Sequence, residues 1–325
     1  MKAEIVAVPF KGAEEMLNHL ADIFGEEERE LERVQLLGEE RDENIDIVAR
    51  VFENGTLLGA VHATIPQKEK KLAGISAMFT TREARGKGIG KLVFGAMMTE
   101  LEKRGVTDLF LGTSEPIAEK LYASFGFRYL YGSGVMMKNL TGAPVDFFRE
   151  RFGQAVGKIA VGQGNADMRI PIVPLALSRL DGIVYEANLE IANPAFLTQA
   201  SCMGLYPRYL ACRLEKGDYF SAADERGVLG ATATYKKMAR GEYRVDGFCV
   251  PSFDKGMEEL LSYAISRIPE KEARVYMDIA ETDVKKQAMA KAMGFSESSK
   301  SAISIKGFSL PAIRYDWQKQ NVNKQ

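Results

Sequence analysis

Arg85-Gly86-Lys87-Gly88-Ile89-Gly90-Lys91 is the stretch on which the reading of this chain turns. It follows residues 72–80, a run apolar on nearly both faces and therefore predicted to be a central strand. It opens a helix that is apolar at Ile89, Leu92, Val93, Ala96, Met97 and Leu101, a 3.6-residue period. The glycines let the main chain curl with no Cβ in the way, so that successive N–H groups face one concavity. The helix behind adds free N–H groups and the positive end of its dipole. Arg85, Lys87 and Lys91 bring charge-assisted donors, and the whole predicts a phosphate site. It is not a P-loop, because Arg85 stands where the first Gly is needed and Leu92 follows the lysine. Nor is it a dinucleotide fingerprint: the third Gly comes one residue early, and the loop follows a later strand than the first.

The rest of the chain sets limits on that site. At about 150 residues per domain, 325 residues predict two domains. Apolar residues make up 46% and charged ones 27%, which fits a globular protein with a sizeable core. With 43 Lys+Arg against 44 Asp+Glu there is no global field for nucleic acid or an anionic membrane, so an anion site must be local. Cys202, Cys212 and Cys249 suit neither a disulfide framework nor a zinc site and read as free thiols in a reducing compartment. The N-terminus does not read as a signal peptide, and no run approaches the roughly 20 apolar residues of a membrane span. The expectation is a soluble, cytoplasmic protein without a metal.

Strands are predicted over 3–10, 46–52, 56–65, 72–80 and 106–111, with Asn54-Gly55 as a hairpin turn. One or two helices over 12–37, one over 89–104 and one over 115–125 complete this half, which ends in a strand pair over 127–140. Residues 141–167 read as a linker with a short helix. In the second half, strands are predicted over 169–177, 218–223, 228–235, 243–250, 273–279 and 302–307. Helices are predicted within 178–210 and over 255–267 and 282–293. Gly126 and Gly294, each before a Phe and 168 positions apart (294 − 126), align the two halves as an internal repeat.

Residues 72–127 resemble the GNAT superfamily of acyl-CoA-dependent N-acyltransferases. The resemblance rests on Arg85-x-x-Gly88-x-Gly90 followed by Ala118-x-x-Leu121-Tyr122-x-x-Phe125-Gly126-Phe127, and the order of elements extends it over residues 1–140. It implies an α/β (α+β) fold of two tandem GNAT-like domains, each a mixed, mostly antiparallel twisted sheet flanked by helices. The expected domains are 1–140, with the acetyl-CoA site, and 168–325, a degenerate copy. The resemblance further implies that the main chain of Arg85, Gly86, Lys87, Gly88, Ile89, Gly90 and Lys91 holds the CoA pyrophosphate. Met78, Phe79 and Thr80 would offer the strand edge that bonds pantetheine and the thioester oxygen. Two positions depart from the family pattern: Arg82 stands where Pro is frequent, and Glu115 where Asn is frequent.

By the same resemblance Tyr122 is the acid that protonates the departing thiolate, with packing on its helix as the alternative. Glu115 and His62 are the candidate bases, each with a structural alternative, a helix cap and a packed strand histidine. The run Glu26-Glu27-Glu28-Arg29-Glu30 reads as a solvated helix face, with recognition of a cationic acceptor as the alternative. No cysteine lies in residues 1–201, which argues for direct transfer from acetyl-CoA to a small-molecule amine, less readily to a protein. The competing reading is a CoA-binding sensor or scaffold without turnover. In the second half Val250-Pro251-Ser252-Phe253-Asp254 replaces the glycine loop and Ala290 replaces Tyr122, so this half is expected to bind no CoA and to cover the substrate cleft or form a homodimer surface.

Overall fold

The computed structural model describes residues 1–142, 146–199 and 201–317 of the chain. These divide into two units. The first comprises 1–144 with 165–173 and 199–207, and the second 145–164, 174–198 and 208–325.

In the first unit the order is β1 (Ala3–Ala7), α1 (Ala13–Phe24), α2 (Glu26–Leu36), β2 (Asn44–Glu53), β3 (Thr56–Pro66), β4 (Leu72–Thr80), α3 (Ile89–Lys103), β5 (Asp108–Gly112), α4 (Pro116–Ser124), β6 (Arg128–Tyr129) and β7 (Val135–Asn139). Gly25, at φ 99, divides the expected helical stretch into α1 and α2. Asn54 and Gly55, at φ 50 and 83, turn the β2–β3 hairpin as their sequence predicts. The sheet runs β1-β2-β3-β4-β5-β7-β6. Every pairing is antiparallel except β4 with β5, which lie parallel.

Alternation along the central strands buries both faces of this sheet. Ile47, Ala49, Val51, Val61, Ala63 and Ile65 pack with Val93, Phe94, Met97 and Leu101 of α3. Val48, Leu57 and Ala60 pack instead with Met16, Leu17, Leu20 and Leu36 of α1 and α2. The two later segments of this unit are held by Arg169, whose guanidinium lies buried against the Glu40 carboxylate, with Nε donating at 2.8 Å. Its other side stacks on the Tyr206 ring at 4.6 Å.

The second unit contains α5 (Phe147–Phe152), β8 (Ala160–Gln163), the end of α6 (Ile172–Leu177), β9 (Val184–Glu186), β10 (Ile191–Ala192) and most of α7 (Tyr206–Leu214). There follow β11 (Gly217–Ala223), β12 (Leu229–Ala239), β13 (Glu242–Cys249), α8 (Asp254–Ser266), β14 (Arg274–Ala280), α9 (Val284–Ala292), β15 (Phe295–Ile305) and β16 (Phe308–Trp317). Its seven-stranded sheet runs β8-β11-β12-β13-β14-β16-β15. Again one interior pair is parallel, β13 with β14. Both sheets are mixed and flanked by helices, as the fold class requires.

Several sequence expectations need correction. The stretch 169–177 is not a strand: a short 3-10 turn leads into α6, and Ile170, Ile172, Val173 and Leu175 are buried. An eight-residue apolar run reads equally as strand or buried helix, and burial on every side removes the periodicity that separates them. Residues 178–210 hold the small β9–β10 pair before α7 rather than two helices. The expected linker contributes β8, an edge strand too short to show alternation. The final strand at 302–307 is in fact two long ones, β15 and β16, whose exposed Ser and Lys positions hide an alternating pattern. No helix among the described residues is long and apolar enough to cross a membrane.

Removing one partner of a buried ion pair strands the other charge, at a cost of about 3–5 kcal/mol. Arg169→Met is therefore expected to lower the urea midpoint sharply, and the double variant Glu40→Leu/Arg169→Met to recover most of the loss. Equal midpoints for the single and double variants would show that the pair does not hold these segments.

Candidate active site

β4 and β5 pair over only three positions, Leu72 with Asp108, Ala73 with Leu109 and Gly74 with Phe110. Beyond Gly74 the strands part. A β-bulge helps to drive them apart: Ala60 faces Phe79 and His62 faces Ser76, so Ala77 and Met78 stand opposite Val61 alone. Ala77 takes φ 48, a left-handed conformation that an alanine seldom adopts. The β5-facing edge of β4, including Met78, Phe79 and Thr80, is left without a strand partner.

The glycine loop closes the end of this opening. A short 3-10 turn over Arg82–Ala84 leads into it, and Gly86 and Gly88 take φ 75 and 79. Gly88 caps α3, and the first helical bond runs from Leu92 N–H to its carbonyl at 3.0 Å. The N–H groups of Gly86, Gly88, Ile89, Gly90 and Lys91 donate to no acceptor among the described residues. Five unspent donors at a helix N-terminus, beside the exposed Arg85, Lys87 and Lys91, form an anion cradle. The loop also touches the floor of the opening. A Cβ on Gly90 would stand 3.5 Å from Met78 Cε and Thr80 Oγ1, and 3.6 Å from Leu121 Cδ2.

Tyr122, on α4, packs its ring against Phe94 and Phe127 at 5.1 and 6.3 Å. Its hydroxyl makes no hydrogen bond among the described residues, although the ring is buried. Burial pushes the hydroxyl pKa up to about 12, and the Cys202 thiol adds a smaller push. Packing and an available hydroxyl are both present, so the two readings of Tyr122 are compatible. Glu115 is exposed at the N-cap of α4, and its side chain makes no capping bond.

Three features of the site depart from what the sequence suggests. Cys202 belongs to the first unit, so the absence of thiols from residues 1–201 does not empty this site of them. A Cβ on Gly112, the last residue of β5, would come within 2.9 Å of Ser201 Cα and 3.1 Å of Cys202 N; only glycine admits this approach. Burial raises the thiol pKa to about 12, so it stays protonated and is a poor nucleophile.

The second feature is the inner face of α2. Glu28, Glu32 and Gln35 stand one turn apart on it, and Glu32 and Gln35 are fully buried. The acidic run is thus only partly a solvated face. Burial, with Glu32 and Glu27 beside it, raises the Glu28 carboxyl above the usual range. The charges of Glu32 and Glu28 act in turn on the Cys202 thiol. A hydropathy pattern treats Glu28, Glu32 and Gln35 as outward, which is why sequence reading misses them.

His62 is the third. Its Nδ1 lies 2.8 Å from Glu32 Oε2 and 3.1 Å from Ser76 Oγ, and its Nε2 lies 3.0 Å from Asp46 Oδ1. Thr64 Oγ1 also donates to Asp46 at 2.7 Å and accepts from Gln35 Nε2 at 2.6 Å. Burial opposes a charged ring, but the hydrogen bonds it donates to Asp46 and Glu32 outweigh that and lift the pKa to about 9. With both nitrogens donating to carboxylates, His62 has no lone pair at neutral pH with which to act as a base.

Residues 13–127 match the model of the acetyltransferase (GNAT) family. This part of the chain belongs to the GNAT superfamily of acetyltransferases. The chain is similar to a GNAT-superfamily phosphinothricin acetyltransferase from Sinorhizobium meliloti, solved with acetyl-CoA, at 19% identity and TM-score 0.39, over 49% of this chain and 88% of that one. It is similar to a GNAT-family N-acetyltransferase from Escherichia coli, solved with CoA, at 18% identity and TM-score 0.34, over 43% and 82%. A ribosomal-protein-alanine N-acetyltransferase from Brucella melitensis aligns at 11% identity and TM-score 0.38, over 48% and 98%. No curated protein matches the chain.

The His62 environment predicts a pH effect with a definite sign. A pKa raised from 6.5 to about 9 on folding contributes stability that is complete below pH 6.5 and lost as pH rises through 9. A shift of this size corresponds to roughly 3 kcal/mol. Thermal melts between pH 6 and 10 are expected to show that decline, and His62→Gln to flatten it while lowering stability throughout. A wild-type profile as flat as that of His62→Gln would refute the buried imidazolium.

Proposed function

We propose that the first unit is an N-acetyltransferase that moves the acetyl group of acetyl-CoA directly to a primary amine of a small molecule. The observation that carries this reading is the parted β4–β5 pair, which opens between five unspent loop donors and the available hydroxyl of Tyr122. The loop N–H groups, with Arg85, Lys87 and Lys91, hold the pyrophosphate. The unpaired edge of β4 at Met78, Phe79 and Thr80 takes the pantetheine arm as an added strand. A main-chain N–H at the Ala77 bulge meets the developing oxyanion.

A neutral amine attacks the thioester carbon, its proton passes to a carboxylate, the C–S bond breaks, and the thiolate accepts a hydrogen bond from Tyr122. With a hydroxyl pKa near 12, Tyr122 is in its acid form throughout the working range. Its main effect is to stabilise charge on sulfur, the proton following as the thiol is released. For the base, half-buried Glu28, whose pKa burial raises, is preferred to Glu115, which is exposed at the start of α4. A protonated Cys202 favours transfer without an acyl-enzyme. The three free cysteines accord with a cytoplasmic setting.

Release of thiol from acetyl-CoA across a panel of amines tests the reading. Tyr122→Phe is expected to lower kcat about 10²–10⁴-fold with little change in KM for acetyl-CoA. Glu28→Gln is expected to lower kcat/KM for the amine at least tenfold, and Glu115→Gln far less. Because Tyr122 does not titrate below about pH 11, no alkaline loss of rate below pH 10 is expected to disappear in Tyr122→Phe. Tight CoA binding with no release on any amine would favour the sensor reading instead.

A further inference from the structure

We propose that the second unit carries its own binding site, for a small organic cation: an amine on an apolar, preferably aromatic body. Where the end of β13 meets β9 and the first turns of α8 and α9 lies a cavity of about 260 Å³. For scale, a cavity of about 150 Å³ suffices for benzene. β13 and β14 pair only from Glu242 with Arg274 to Arg244 with Tyr276, as short a parallel pairing as that of β4 with β5, and the cavity lies at the end of β13 beyond it.

Its chemistry is different. The walls are Val184, Met257, Met289 and the stacked rings of Tyr185 and Phe248, whose centroids lie 5.3 Å apart. Both lysines at the cavity are already matched: Lys285 Nζ lies 3.2 Å from Asp254, and Lys286 Nζ lies 2.6 Å from Asp246 and donates to Tyr185 O at 2.8 Å. Asp283 accepts the Lys286 N–H as the cap of α9. The Asp181 and Glu258 carboxylates line the cavity with no hydrogen bond or ion pair among the described residues. A charged amine is the complement of two unmatched carboxylates, and aromatic faces add a cation–π surface.

An anionic ligand is disfavoured on three counts. Pro251 offers no N–H, the 3-10 turn Pro251–Phe253 runs directly into α8 with no glycine curl between them, and Asp254 and Glu258 put negative charge at the start of α8. β13 also runs against β12 without a bulge from Asp246 to Cys249, so the strained donor at Ala77 has no counterpart.

Cys249 lines the cavity and is half-buried, whereas Cys202 and Cys212 are fully buried; burial and Asp254 push the Cys249 thiol up to about 12, so its alkylation is slow and is followed over hours at pH 8.5, where it reports on this site alone. The test measures N-ethylmaleimide labelling of Cys249 in the full chain by peptide mass spectrometry, with 2-phenylethylamine, 3-phenylpropionate or CoA present. The amine is expected to slow labelling at least fivefold, and the two anions to leave it unchanged. In Asp181→Asn/Glu258→Gln, both at exposed positions, half-protection is expected to need about tenfold more amine. No protection by the amine, equal protection by either anion, or an unchanged concentration dependence in the double variant would overturn the proposal. The readout is independent of acetyl transfer, so its failure and that of the catalytic reading are separable.

Discussion

A parallel pair of strands that begins to separate after three residues is the constraint on which the first unit is organised. Parallel strands inside a sheet ordinarily continue side by side and satisfy each other's main chain. Here β4 cannot follow β5, because the bulge at Ala77 gives β4 one residue more than β3 and turns its edge outward. The unpaired edge, the glycine curl beyond it and the N-terminus of α3 follow one another along the chain, and the curl and helix end leave the N–H groups of Gly86, Gly88, Ile89, Gly90 and Lys91 unspent among the described residues. That explains how a chain of net charge −1 builds an anion site: the field comes from oriented N–H groups and three local cations, not from the surface as a whole.

The same opening explains the polar interior under α2. Helices that cover a sheet normally present an apolar stripe, and α1 does so through Met16, Leu17 and Leu20. α2 instead turns Glu32 and Gln35 inward onto His62, Asp46, Thr64 and Ser76. Two buried carboxylates without a partner would be prohibitive, and the doubly donating imidazolium between them makes the arrangement tolerable. His62 is thus spent on holding charge in the core. It also fixes α2 and, with it, the direction in which Glu28 faces.

Elements with local signals were legible in the sequence. The Asn54-Gly55 hairpin, the central strand at Leu72–Thr80, the loop and the α3 periodicity all carry their cause in neighbouring residues. What escaped depends on distant contacts. The run 170–177 is buried on every side and has no period to read, and β15 opens with a polar run from Ser296 to Ser301 that a hydropathy pattern counts as loop. In the candidate site, the curl from Arg85 to Lys91 carries its glycines in its own sequence and Tyr122 is suggested by the resemblance, whereas nothing points to Cys202. Its arrival beside Gly112 is a consequence of chain threading that no window of sequence contains.

The second sheet shows how little of an active site belongs to the fold itself. Strand order and the single parallel pair are the same in both sheets, and α4 and α9 each span nine residues and lead into a glycine at φ 92 and 89. What differs is the bulge, the glycines and the hydroxyl: β13 runs straight beside β12 from Asp246 to Cys249, the turn ending at Phe253 enters α8 with no curl, and Ala290 stands in place of Tyr122. A parted strand pair therefore guarantees only a cleft. Donors aimed into it make an anion site, and carboxylates left unmatched around aromatic rings make the opposite, so the ligand is decided by a few side chains at each strand end.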